Sequence, residues 1–378
     1  MQMRDLQRQY HSLQASLDAA MQRVCASGRF VMGQEVAALE QRLANYVGSQ
    51  HCIACANGTD ALRMALMAWH IGSGDAVFVP DFTFFATAEA VALQGATPVF
   101  VDVEPDSFNL SADDLRRKIA QTRAAGRLRP RAVIAVDLFG RCARYDAIRA
   151  VTEEAGLWLL EDGAQGFGAS RKGKKACSFG DMSTTSFFPA KPLGCYGDGG
   201  AIFTDNDAWA AELRSIQQHG RGEEKYHNIR LGLNSRLDAL QAAVLQVKLD
   251  AFESHELGDT AQIALLYNQR LQATGLQCPT LDEDEISSWA QYTLVTRDSS
   301  ERALLQQRLQ AADIPTAIYY PVPLHRQPAL RPFATDVDCP VADDLCQRVL
   351  SLPMHPYLTR QEVEQVAQSV AEALQTRK

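Results

Sequence analysis

The stretch "TTSFFPAKPLGCYGDGGAIFT", residues 184–204, places a single lysine in a setting that a surface lysine does not need. Ser186 lies five residues before Lys191, Pro192 follows at once, and Gly194, Gly197, Gly199 and Gly200 crowd the residues beyond. A segment this rich in glycine cannot be an ordinary helix face, because glycine gives up too much backbone entropy there. It closes on "GGAIFT" (199–204), a short apolar run that reads as a buried strand. The lysine therefore belongs to a tight loop leading into a sheet.

Working outward, short apolar runs alternate with amphipathic stretches from about residue 50, the pattern of βα units around a largely parallel sheet. The strand candidates are "CIACA" (52–56), "AVFVP" (76–80), "TPVFVDV" (97–103), "AVIAVDLFG" (132–140), "LWLLED" (157–162) and "GGAIFT". Helices fit "GTDALRMALMAW", "FATAEAVALQG", "SADDLRRKIAQ", "YDAIRAVTEEAG" and "NDAWAAELRSIQ", with Ser111 as an N-terminal signal ahead of two acids. A long helical pattern from Ser235 to about Gly275 is expected to join two domains. These are a large one over 1–250 and a smaller α+β one over 251–378. The smaller one should hold strands near "AQYTLVT" and "PTAIYYP" and a closing helix at "RQEVEQVAQSVAEALQ".

Composition narrows the function. The 378 residues suffice for a large core, and 46% apolar with 22% charged residues is ordinary for a globular protein. A net charge of −8 and a pI near 5.5 speak against a general nucleic-acid binder. The polar start "MQMRDLQRQYHSLQ" lacks the apolar core of a signal peptide, and no apolar run nears the roughly 20 residues that span a bilayer. A cytoplasmic protein without a membrane partner is expected. The nine cysteines are scattered and odd in number, so free thiols are expected. Cys52 and Cys55 have CxxC spacing but no second pair. They sit inside a strand candidate, which favours packing over redox or zinc chemistry, and no metal is expected.

Four pieces carry chemistry. In "ANGTDALRMAL", Asn57, Gly58 and Thr59 come between a strand and a helix, where backbone N–H groups suit a phosphate; a plain βα turn capped by Asn57 or Thr59 has the same sequence. In "LWLLEDGAQGFGA", Asp162 ends an apolar strand at the carboxyl edge, where open α/β sheets bind ligands, and Gln165 follows. In "DFTFFATAEA", Phe84 and Phe85 offer one ring to a flat ligand and one to the core. Lys191 is the fourth, an amine that attacks carbonyls when its surroundings lower its pKa. Each alone is unremarkable. A phosphate cradle, a stacking aromatic, a carboxylate and an amine together are the inventory of a pyridoxal 5'-phosphate (PLP) site.

With these residues in hand, the chain resembles the DegT/DnrJ/EryC1/StrS family of sugar aminotransferases. The resemblance runs through "DLQRQY", "GRFVMGQEVAALEQRLANYVG", "ANGTDAL", "DFTFFATAEAV", "EDGAQGFGA", "SFFPAKPLGCYGDGGAIFT", "RLGLNSRLDALQAAVL", "YYPVPLH" and "SLPMHPYL". It implies the fold of a type I PLP-dependent transferase. Lys191 matches the Schiff-base lysine, Asp162 the partner of the pyridine nitrogen and Gln165 the neighbour of the ring hydroxyl. Ser186, Gly58 and Thr59 match phosphate ligands, and Phe84 the stacking position. Asn234 matches a phosphate ligand reaching in from the other subunit of a homodimer with composite sites. Arg236, Tyr320 and His325 match places that meet the nucleotide sugar. Within the family, "FFPAKPLGCYGDGGAIFT" is most similar to enzymes that aminate UDP-2-acetamido-2-deoxy-3-oxo-glucuronate for surface polysaccharide such as O-antigen, and glutamate is the expected donor. Other 3-keto or 4-keto deoxysugars carried on UDP or dTDP are the alternative substrates. A same-fold dehydratase would carry histidine at the lysine position, and a silent cofactor-binding sensor would not need every reactive group to be kept.

Overall fold

The computed structural model describes residues 1–224, 226–334 and 337–375. Two N-terminal helices, α1 (Leu6–Ser27) and α2 (Gln34–Val47), precede the first strand. The βα alternation then runs β1 (His51–Cys55), α3 (Gly58–Ala68), β2 (Asp75–Pro80), α4 (Ala86–Leu93), β3 (Thr97–Val101), α5 (Ala112–Ala125), β4 (Arg129–Val136), α6 (Tyr145–Ala155) and β5 (Trp158–Asp162). After a short hairpin, β6 (Ser170–Arg171) and β7 (Lys174–Lys175), come β8 (Met182–Ser186), β9 (Gly200–Thr204) and α7 (Asp207–Ile216). Seven of these strands form one sheet in the order β1-β9-β8-β5-β4-β2-β3. β2, β3, β4, β5 and β8 are parallel, and only β9 opposes its neighbours β8 and β1. The sheet is covered on both faces, as a parallel sheet must be. Val77 and Val79 of β2 enter one apolar cluster while Phe78 between them enters another.

One parallel strand escapes a reading by apolar runs. β8 is "MSTTS", polar by composition yet buried at all five positions. Its hydroxyls are satisfied inside: Ser183 Oγ donates to Glu161 Oε2 at 2.7 Å, and Thr185 Oγ1 to the Gly163 carbonyl at 3.0 Å. Once hydrogen-bonded, those groups lose most of the cost of burial.

The helical pattern expected over 235–275 begins later, at α8 (Ala239–Ala251). It widens to a π turn at Phe252–Glu256 and continues as α9 (Leu257–Leu271). α8 packs on α1 and α2. α9 packs with α10 (Ser299–Ala311) and α12 (Arg360–Gln375) around a separate core that includes Tyr267, Leu294, Leu309, Leu350 and Val366. β10 (Glu285–Ile286) pairs back onto β6, while β11 (Tyr292–Val295) pairs antiparallel with β12 (Val349–Leu352), which follows α11 (Pro340–Arg348). The strand expected at "PTAIYYP" is not one. It makes a single bridge, Ala317 to Ser351, and then turns toward the large sheet, where the Leu324 N–H donates to the Asp81 carbonyl at 2.9 Å.

Candidate active site

The carboxyl ends of β1, β2, β4, β5 and β8 and the start of β9 lie along one edge of the sheet, and a cavity of about 520 Å³ opens there. Its lining brings together Gly58, Thr59, Phe84, Asp162, Gln165, Ser186, Lys191 and Tyr320. Asn234, Arg236 and His325 lie outside it.

At one end of the cavity the backbone turns from β1 into α3. Asn57 caps the helix, its Oδ1 accepting from the Asp60 N–H at 2.8 Å. The first-turn N–H groups of Gly58 and Thr59 have no earlier carbonyl in the helix to bond. Ser186, the last residue of β8, comes so close that a Cβ on Gly58 would sit 2.8 Å from Ser186 Cβ. Glycine is what lets the serine hydroxyl and the helix N-terminus share one small space, and an anion with several oxygens fits it. The glycines after Lys191 act similarly. None of Gly194, Gly197, Gly199 and Gly200 has a positive φ; a Cβ on Gly200 would meet the Asn57 backbone at 2.6 Å. They serve close approach rather than an unusual turn.

Asp162 forms the floor. Thr87 Oγ1 donates to its Oδ2 at 3.0 Å, and the Ala164 N–H to its Oδ1 at 3.2 Å. Burial pushes this carboxyl above the usual range, against these two hydrogen bonds and the Lys191 charge. A cation placed against it would restore its ionised form. Its neighbour Glu161 points away, accepting from Ser183 Oγ and from the Cys177 and Phe179 N–H groups at 2.5 and 2.6 Å, and serves the fold. Burial pushes Lys191 below the usual lysine range; Asp162 opposes that and Arg4 adds to it. No hydrogen bond or ion pair engages the Lys191 amine among the described residues.

The two phenylalanines part company. Phe84 is 55% exposed and lines the cavity, whereas Phe85 packs against the core. Gln165 is held by its Oε1, which accepts from the Phe139 N–H at 2.6 Å, and its Nε2 reaches Tyr320 Oη at 3.4 Å. His325 is committed elsewhere: its Nδ1 lies 2.6 Å from Asp81 Oδ2, and its backbone N–H donates to Asp81 Oδ1 at 2.8 Å. Asn234 is exposed and bridges to Gln218, while Arg236 is half-buried without a side-chain partner among the described residues. Sequence reasoning did not reach Thr87, Asp198, Gln291 and Tyr319, which join or support the lining. Gln291 enters from the far side of the cavity with a buried, unpartnered Oε1. No single-sequence signal marks these residues, because they arrive from separate elements. Cys52 and Cys55 are buried free thiols in β1, pushed up by burial, and neither lines the cavity.

An amine with depressed basicity, a buried carboxylate, an exposed ring and a helix N-terminus around one cavity define a PLP-dependent transferase of fold type I. The chain belongs to the DegT/DnrJ/EryC1/StrS aminotransferase family, whose model matches residues 11–371. It is 47% identical over 354 residues to the UDP-2-acetamido-2-deoxy-3-oxo-D-glucuronate aminotransferase of Pseudomonas aeruginosa, covering 94% of this chain and 95% of that one. A crystal structure of a DegT DnrJ EryC1 StrS aminotransferase from Brucella abortus superposes with a TM-score of 0.95 at 48% identity, covering 98% of each chain. NtdA from Bacillus subtilis, solved with bound cofactor PMP, has a TM-score of 0.88 at 27% identity and covers 96% of this chain and 82% of that one. Among the described residues, no helix is long and apolar enough to cross a membrane.

Proposed function

We propose that the protein transfers an amino group from glutamate to a UDP-linked 3-keto uronic acid, UDP-2-acetamido-2-deoxy-3-oxo-glucuronate or a near relative, during synthesis of a surface polysaccharide such as O-antigen. The observation that carries the reading is the convergence of Lys191 and Asp162 on one cavity beside the Gly58–Ser186 cradle. The likeness to the Pseudomonas enzyme supports the sugar.

Each residue then has a task. The Gly58 and Thr59 N–H groups and Ser186 Oγ would hold the cofactor's phosphate. Phe84 would lie against its ring, Gln165 near its hydroxyl, and Asp162 would keep the ring nitrogen protonated. PLP, when bound, would supply an electron sink for the pair left when a proton leaves the amino donor. Lys191 Nζ would carry that α-proton from the donor to the cofactor and, in the second half-reaction, carry one from the cofactor to the sugar carbon that becomes the amine carbon. Its depressed basicity suits both steps.

Both substrates carry carboxylates, yet Lys191 is the sole cation in the cavity lining among the described residues. We place the missing cation on a second copy of the chain. Asn234 and Arg236 would reach the neighbour's site, with Arg236 facing the sugar carboxylate, in a homodimer of composite sites. The separate core shared by α9, α10 and α12 supports a division into a cofactor-binding part, 1–250, and a smaller part, 251–378, although α11 packs into the cluster of the large sheet.

A single-turnover panel tests the substrate. The enzyme, first aminated by glutamate, is mixed with UDP- and dTDP-linked 3-keto and 4-keto sugars. The UDP-linked 3-keto uronic acid should react fastest, and faster turnover of a dTDP-4-keto sugar would overturn the assignment.

A further inference from the structure

The N-terminal segment touches the lysine's own peptide. Arg4 Nη2 donates to the carbonyl of Pro192, the residue after Lys191, at 3.0 Å. The same segment is fastened to the C-terminal part. The Met3 carbonyl accepts from the Met354 N–H at 3.0 Å, and Arg8 donates to both oxygens of Glu362 at 2.7 and 2.9 Å. Arg4 therefore lies where the N-terminus, the C-terminal part and the lysine loop meet.

Arg4 keeps its charge where two neighbouring basic groups tend to lose theirs. Burial pushes Lys248 down to about 7, and Arg4 is the next cause. Burial likewise pushes His355 down to about 4, again with Arg4 next. Arg4 itself is lowered by burial only to about 10 and stays cationic at neutral pH. The nearby Glu256 is engaged by Gln9 Nε2 at 2.9 Å and by Tyr357 Oη at 2.6 Å, so it does not close an ion pair with Arg4. A guanidinium left without an acid partner projects its field onto its neighbours in a medium of low dielectric.

We propose that Arg4 is a positioning residue for Lys191: it fixes the peptide after the lysine through the Pro192 carbonyl and sets a guanidinium beside the loop that carries the reacting nitrogen. The N-terminal segment thereby ties the C-terminal part of the chain to the group that reacts. The inference rests on Lys191 being the cofactor-linked amine.

The test uses the holoenzyme and reads the pH midpoint of the bound cofactor's absorbance, a quantity that a merely structural anchor does not move. Arg4→Met should raise the midpoint by about half a unit or more, because a positive charge that opposed protonation is gone. Arg4→Lys, which keeps the charge, should return it most of the way. Equal midpoints in native protein and in Arg4→Met, at equal cofactor content and melting temperature, would overturn the proposal. If Arg4→Met does not fold, Arg4→Gln and Arg4→Lys are compared instead: a midpoint higher in Gln than in Lys supports the role, and equal midpoints overturn it. Failure of the underlying reading looks different, since borohydride would then fix the cofactor of the native protein to a residue other than Lys191.

Discussion

At the scale of single residues, Lys191 and Asp162 face the same cavity with opposite shifts, the amine pushed down and the carboxyl up. Lys191→Ala should fold and retain PLP noncovalently, yet give no borohydride-reducible adduct by mass spectrometry; stoichiometric labelling of the variant would name another lysine. Asp162→Asn keeps the shape and removes the charge proposed to hold the ring proton. Its glutamate half-reaction should slow on the order of a hundredfold or more while the phosphate still binds, as stopped-flow absorbance would show. The meeting of Lys191 and Asp162 at one cavity was legible in the sequence only from the pieces taken together, a lysine among glycines and an acid ending an apolar strand beside a phosphate-sized turn and an aromatic. Thr87 was not, since a threonine early in a helix reads as ordinary until Asp162 is seen beside it.

At the scale of elements, the turn after β2 and the 3₁₀ segment Leu324–Arg326 are stitched together by Asp81. Asp81 is fully buried, and the His325 side chain is 12% exposed. The hydrogen bond to Asp81 raises the His325 pKa above its usual value of about 6.5. The folded state thus holds this proton more tightly than the unfolded chain. The pair's stabilisation is full below about pH 6.5 and fades as pH rises through the higher folded value. His325→Ala should cost about 2 kcal/mol at pH 5.5 in urea melts, and less at pH 9. The element scale also shows where reading stopped. The apolar strands were legible, and β8 was not, because its buried hydroxyls are satisfied by Glu161 and Gly163, which no local pattern announces. "PTAIYYP" misled in the other direction: its two tyrosines serve the cavity wall and Ile318 packs against the core, with only the Ala317 bridge in place of a ladder.

At the scale of the whole molecule, the cavity lining holds no cation but Lys191 and Arg236 outside it has no side-chain partner, both among the described residues, and together they support the proposed reciprocal donation between two chains. Lys191→Ala and Arg236→Ala should each be nearly inactive. Co-expressed and purified as heterodimers, they should regain a substantial fraction of activity, because one site carries both lesions and the other neither. Heterodimers as inactive as the parents, with both variants folded, would put each site within one subunit. This level was the least legible from the residues' own chemistry, since positions 234 and 236 draw attention only through the family resemblance and not through any local pattern.

The register of β8 against β9 has one more consequence. Ser186 pairs with Gly200 at the sheet edge, so residues 187–199, with Lys191 among them, form a ring clasped at its base by the ladder. Lengthening such a ring is thermodynamically mild: doubling a flexible loop adds only about 0.6 kcal/mol of closure cost. The amine is another matter, because its effective concentration at the cofactor falls as the tether slackens. The ring's circumference is thus a kinetic parameter far more than a thermodynamic one, and a looser ring would leave the protein intact with its nucleophile diluted.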